Sequence, residues 1–171
     1  MKKIGLISDT HGHFDEKYIH YFKKCDEIWH AGDVGNLEII DQLNNIAPTR
    51  AVYGNIDDHN TRSELNLDAY FSVEKHTVFM THIGGKPYSY PKRVQQKLLE
   101  LNPSIFVCGH SHICKVQMDE KFNMLYINSG AAGIKGFHKI RTLIRFTIEQ
   151  KNIKNLEVIE LGNRTKSSKS V

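Results

Sequence analysis

Lys3-Ile4-Gly5-Leu6-Ile7-Ser8-Asp9-Thr10-His11 is a strand-length apolar run that ends on two potential metal ligands. A continuous run of this kind is expected where a strand is buried on both faces of a parallel sheet. In open α/β sheets ligands collect in the crevice beyond the carboxyl ends of the strands, which is where Asp9 and His11 fall. Four more runs end in the same way. Glu27-Ile28-Trp29-His30 leads to Gly32-Asp33, and Arg50-Ala51-Val52-Tyr53 to Gly54-Asn55. Val78-Phe79-Met80 leads to Thr81-His82, and Ile105-Phe106-Val107-Cys108 to Gly109-His110-x-His112. Five strands are therefore expected to deliver ligands to one edge.

The donors are Asp9, His11, Asp33, Asn55, His82, His110 and His112. Carboxylates supply charge and can bridge, imidazoles suit first-row transition ions, and an amide carbonyl adds a neutral oxygen. Asp33 sits in the middle of the order and is the natural bridge between two cations. Two cations about 3.5–4 Å apart clamp the attacking and leaving oxygens of an in-line displacement at phosphorus and make hydroxide available near neutral pH. A polar cluster of this size would be expensive to pack unless a cation compensated it. The glycines before Asp33, Asn55 and His110 suit turns that approach a metal closely.

Asp-x-His, Gly-Asp, Gly-Asn-x-Asp, a lone His after a strand and Gly-His-x-His, in that order, resemble the calcineurin-like metallophosphoesterases. The short chain resembles their compact bacterial and archaeal phosphodiesterase branch. The resemblance covers residues 3–130, with Asn128-Ser129-Gly130 in the place of that branch's Asn-Pro-Gly turn. It implies a four-layer αββα sandwich of two mixed β-sheets flanked by helices. It also implies Asp9, His11, Asp33 and His112 on one metal and Asp33, Asn55, His82 and His110 on the other. Many relatives carry a histidine after Gly-Asn that is thought to protonate the leaving group, and here that position is Ile56. General acid catalysis, typically worth about 10²–10⁴-fold, is then absent or supplied elsewhere. His13 and His59 are both candidates for that role.

With 171 residues the chain suits one core, about 70% of its unfolded surface being buried on folding. Its 40% hydrophobic and 25% charged residues are ordinary for a globular protein. No apolar stretch approaches the roughly 20 residues of a membrane helix, and the early Asp9 argues against a signal peptide. Of the net charge of +4, three positive charges are Arg164, Lys166 and Lys169, so no basic stripe for nucleic acid is evident. Residues 1–162 are expected to form the catalytic domain, and 163–171 a basic, frayed tail. Cys25, Cys108 and Cys114 lack Cys-x-x-Cys spacing and fit reduced thiols in the cytoplasm.

Apolar periodicity predicts helices over Phe14–Lys24, Leu37–Ile46 and Pro91–Leu101, the last opened by proline. Ala69–Glu74 pairs with Thr77–Met80, Val116–Glu120 with Met124–Asn128, and Thr142–Glu149 and Leu156–Leu161 close the fold. Outside the ligand set, His20 and His76 read as surface residues. His30 reads as a packed strand-end histidine ahead of a partner of Asp33, and His138 as an exposed loop residue. Trp29 reads as core, Gly84-Gly85-Lys86 as a turn rather than a phosphate cradle, and Lys92-Arg93 as a solvated face.

The expected activity is that of a binuclear metal-dependent phosphoesterase, a phosphodiesterase using a metal-bridging hydroxide for in-line attack. The expected cofactors are two divalent transition metal ions, with manganese ahead of iron, nickel or zinc, and the expected substrate is a small phosphodiester. The alternative is a non-catalytic metal-binding scaffold or protein-interaction module of the same fold. A DNA-processing nuclease would need capping segments and a basic face. An oligomer is compatible with the sequence, which carries no signal for one.

Overall fold

The computed structural model describes residues 1–165, so positions 166–171 of the expected tail lie outside the described residues. The elements run β1 (Lys2–Ile7), α1 (Glu16–Phe22), β2 (Glu27–His30), α2 (Leu37–Asn44), β3 (Thr49–Ala51), α3 (His59–Glu64) and β4 (Asp68–Val73). They continue with β5 (His76–Thr81), α4 (Lys92–Leu101), β6 (Ile105–Cys108), β7 (Cys114–Asp119), β8 (Met124–Ser129), β9 (Ile140–Glu149) and β10 (Asn152–Asn163).

Two mixed five-stranded sheets result, ordered β10-β9-β1-β2-β3 and β4-β5-β6-β8-β7. The opening run explains their stacking. Ile4 and Leu6 join Trp29, Val78, Met80 and Val107 in the layer between the sheets. Ile7 faces the other way, toward Tyr18, Phe22, Ile28 and Leu43 under α1 and α2. β1 is thus covered on both sides, as its uninterrupted apolar sequence requires. On the far side of the second sheet α4 buries Val94 and Leu98 against Phe79 and Phe106. These layers make the αββα sandwich. Trp29 lies at its centre, edge-on to Phe71 and Phe146 at 5.2 and 5.6 Å.

Capping decides where the helices begin. The Asp15 side chain accepts from Lys17 N–H at 3.0 Å, so α1 starts at Glu16 rather than Phe14. Asn36 caps α2 by accepting from Ile39 N–H. Pro91 occupies the cap position of α4, one residue before the helix proper, and left-handed Asn102 ends it. α3 was not expected. Its six residues bury only Thr61, and it is held by Asp58, which accepts from Thr61 N–H at 2.8 Å. β10 is twice the expected length because register shifts at Lys154/Glu157 and Glu160/Gly162 let it keep pairing with β9. Asn163 pairs with Ile140, and Arg164 N–H donates to Lys139 O at 2.8 Å. His76, expected at the surface, is half-buried and shares a 3.0 Å hydrogen bond with Ser104. Among the described residues no helix is long and apolar enough to cross a membrane.

Candidate metal centre

The carboxyl ends of β1, β2, β5 and β6 meet at one edge, and backbone hydrogen bonds fasten the segments beyond them. Asp9 N–H donates to Gly32 O, His11 N–H to Asp33 O, and Gly109 N–H to His82 O, each at 3.0 Å. Two groups of side chains form there. Asp9, His11 and His112 make one, and Asp33, His82 and His110 the other, with one ligand atom per residue lying within 4.8 Å of its fellows in each group. Asp33 stands between them: Oδ1 is 3.1 Å from His82 Nε2, and Oδ2 is 3.7 Å from His11 Nε2. Asn55 is exposed and lines a 380 Å³ cleft together with His82.

The inner atoms of this cluster are buried and have no hydrogen-bond partner among the described residues: Asp9 Oδ1, His11 Nε2 and His82 Nε2. Their outer counterparts are held. Asp9 Oδ2 accepts from the Ser8 hydroxyl at 2.6 Å and from His110 N–H at 3.1 Å, leaving Oδ1 turned inward, 3.1 Å from His112 Nε2. His82 Nδ1 lies 2.8 Å from Ala31 O. A carbonyl can only accept, so Nδ1 carries the hydrogen and a neutral His82 points its Nε2 lone pair at the Asp33 carboxylate. Two acceptors face to face, away from water, call for a cation between them.

Ionisation shows the same tension. Burial opposes charge on His82, but the Asp33 carboxylate and the charge of Asp9 outweigh it and lift the imidazole above its ordinary value. Burial likewise opposes the Asp33 anion and is outweighed by His82, the Ile56 N–H and His11, which hold it below the usual carboxylate range. His11 is lowered, chiefly by burial, against the pull of Asp33 and Asp9. The mixed carboxylate and imidazole donor set fits divalent transition ions.

Five of the seven candidate ligands have left-handed backbones: Asp9 (φ 55°), His11 (50°), Asp33 (52°), His110 (68°) and His112 (58°). Non-glycine residues rarely adopt this region, and such outliers gather at functional sites. Gly54 shows how tightly the segments approach, since a Cβ there would fall 2.0 Å from Asp33 Oδ1.

A model of the calcineurin-like phosphoesterase superfamily domain matches residues 1–151. The chain belongs to that superfamily. It is 30% identical over 133 residues to a probable metallophosphoesterase of Methanothermobacter thermautotrophicus, covering 75% of this chain and 76% of the relative. A second probable metallophosphoesterase, from Methanocaldococcus jannaschii, is 30% identical over 162 residues, covering 86% and 77%. Among solved structures, an archaeal phosphodiesterase superposes with a TM-score of 0.74 at 23% identity, over 93% of this chain and 99% of that one. Chaetomium thermophilum Vps29 superposes equally well, at 0.74 and 15% identity over 94% and 97%. These two likenesses concern the fold.

In this calcineurin-like chain the position after Gly54-Asn55 belongs to Ile56, whose exposed side chain has no proton to give and whose N–H donates to Asp33 Oδ1 at 3.1 Å. Of the two substitutes considered for a catalytic acid, His59 opens α3 in an exposed position. His13 lines a separate cleft with Asp15 and Arg141. His30 is a packed, fully buried histidine: its Nδ1 accepts from Gly32 N–H and its Nε2 lies 2.9 Å from Thr10 Oγ1. Burial pushes it down to about 4. Lys92 and Arg93 lie on an exposed face, as read, and Arg93 also bonds Asp68 at 2.6 Å and Thr81 Oγ1 at 2.9 Å.

Three residues brace the ligands in ways the sequence did not show. Asp57 accepts backbone N–H groups from Val34, Gly35 and Gly54. Asn128 donates to Gly109 O at 2.8 Å and to Ser111 Oγ at 3.1 Å, bracing the segment that carries His110 and His112. Ser8 orients Asp9. Asp57 belongs to the Gly-Asn-x-Asp motif and Asn128 to Asn128-Ser129-Gly130, but most of the groups they hold lie elsewhere in the chain.

Proposed function

We propose that this chain is a binuclear metal-dependent phosphodiesterase, with Asp9, His11, Asp33 and His112 holding one ion and Asp33, Asn55, His82 and His110 the other. The observation that carries this is the trio of buried, unpartnered atoms, Asp9 Oδ1, His11 Nε2 and His82 Nε2, facing a common space on either side of Asp33. Two divalent cations bound there would supply hydroxide near neutral pH and offset charge at an in-line phosphorus. Asp33 presents one oxygen to each group, and Ser8, Ala31 and the His110 N–H keep the remaining ligand atoms from turning away.

The surroundings favour a diester. A 380 Å³ cleft lined by Tyr53, Asn55, Arg62 and His82 lies on one side. A 440 Å³ cleft lined by His110, Ile113, Tyr126 and Lys86 lies on the other, and both reach Ile83 and Pro91. A phosphorus held between them has room for an organic arm in each. With Ile56 in place of an acid, leaving groups of low pKa should react fastest. Manganese suits the donor set, as do iron, nickel and zinc. The three free thiols fit a reducing, cytoplasmic setting.

The competing scaffold reading draws on the fold shared with Vps29, and the complete donor set weighs against it. Turnover of nitrophenyl diester and monoester under Mn²⁺, with metal content measured, tests the proposal. Diester preference with two ions per chain is expected. A clear monoester preference would overturn the substrate class. A loaded protein inert on every ester across the divalent metals would favour the scaffold.

A further inference from the structure

We propose that His138 is a positioning residue for His112, fixing which of its two ring nitrogens is free to act as a ligand. Gly133 O, His138 and His112 form a row of three hydrogen-bonding groups. His138 Nε2 lies 3.0 Å from Gly133 O, and since a carbonyl only accepts, that nitrogen carries a hydrogen. A neutral imidazole carries a single N–H, so with that hydrogen on Nε2 the other nitrogen, His138 Nδ1, is a bare acceptor. It lies 3.1 Å from His112 Nδ1, which must therefore donate. His112 in turn has no hydrogen left for Nε2, and that lone pair points inward, 3.1 Å from Asp9 Oδ1. The tautomer of a ligating histidine is set by the bond its other nitrogen makes, and here that bond runs to a second histidine.

The segment that carries His138 is built around this contact. Gly133 N–H donates to Asp9 O at 3.0 Å, so the segment starts on the backbone of a candidate ligand. At Gly136 (φ +122°) the backbone lies against the His112 ring, and a Cβ there would sit 2.3 Å from its Cε1 and Nδ1. The two rings meet edge to face, centroids 5.0 Å apart. Arg164 Nε donates to His138 O at 3.0 Å and anchors the far end. His138 touches no reacting atom in this arrangement and acts only through His112.

The inference rests on the binuclear reading for its metal arm but not for its tautomer arm, and the experiment separates them. Long-range ¹H–¹⁵N correlation on the metal-free protein at pH 8 should show the Nδ1–H form of His112 and the Nε2–H form of His138. In His138→Leu, which has no acceptor, His112 should shift toward Nε2–H. In His138→Gln, whose amide oxygen can accept, it should stay Nδ1–H. Titration with Mn²⁺ should then show one of two ions weakened about 10–100-fold in His138→Leu, with the other retained and His138→Gln close to wild type. Nε2–H on His112 in the wild type, or an unchanged His112 in His138→Leu, overturns the proposal. Equal weakening in the Leu and Gln variants would also overturn it. A wild type with the expected tautomers that binds no Mn²⁺ would uphold the positioning role and sink the binuclear function instead.

Discussion

The Asp57 carboxylate accepts the backbone N–H of Gly54 at 2.7 Å, three residues back along its own turn. The same group accepts Val34 N–H at 3.1 Å and Gly35 N–H at 2.7 Å, so one buried side chain ties the segment beyond β3 to the segment beyond β2. Asp57→Ala would strand three donors at about 1–3 kcal/mol each. A loss of about 3 kcal/mol or more in urea unfolding is expected, along with weaker Mn²⁺ binding although Asp57 is no ligand. An unchanged urea midpoint would contradict this role.

Asp33→Asn should weaken both ions, because Asp33 faces both groups, whereas His11→Gln should weaken one. Metal content after equilibrium dialysis distinguishes them. Two tightly held ions in Asp33→Asn would show that the carboxylate is not shared.

Ile56→His would restore a proton donor at the mouth of the site. The gain should be confined to esters with poor leaving groups, flattening the dependence of rate on leaving-group pKa. Asp57 is already committed to backbone donors and is not free to orient the new imidazole. The gain is therefore expected at about tenfold, below the usual range for general acid catalysis. If the variant folds and loads metal yet is no faster on any ester, position 56 does not face the leaving group.

His30 should make the metal-free protein acid-sensitive. Burial lowers its folded pKa to about 4, against about 6.5 unfolded. The unfolded chain thus binds the extra proton in this window, and stability is full above pH 6.5 and falls as pH drops toward 4. The span corresponds to about 3 kcal/mol. Urea midpoints at pH 7.5 and 4.5 should differ more for the wild type than for His30→Gln, and equal pH dependence in the two would remove His30 as the cause.

The five ligand-bearing strands and three of the four helices, α1, α2 and α4, were legible because burial on both faces writes an uninterrupted apolar run, and an amphipathic helix writes its period. α3 was not, since its single buried residue, Thr61, leaves no period and its one marker is the cap Asp58. The candidate ligands stood out because they follow the strands directly. The roles of their supports did not: Asp57 also bonds Val34 and Gly35 across 23 and 22 positions, Asn128 bonds Gly109 across 19, and His138 reaches His112 across 26. Such pairings exist only once the fold has formed.

The left-handed backbones of Asp9, His11, Asp33, His110 and His112 set folding against function. Each carries a penalty of about 1–2 kcal/mol that glycine would not. A lineage released from the need to hydrolyse anything could become sturdier by discarding these side chains, and selection for robustness alone would erode the centre from within. Five ligating side chains held on strained backbone are what a working enzyme would have to defend.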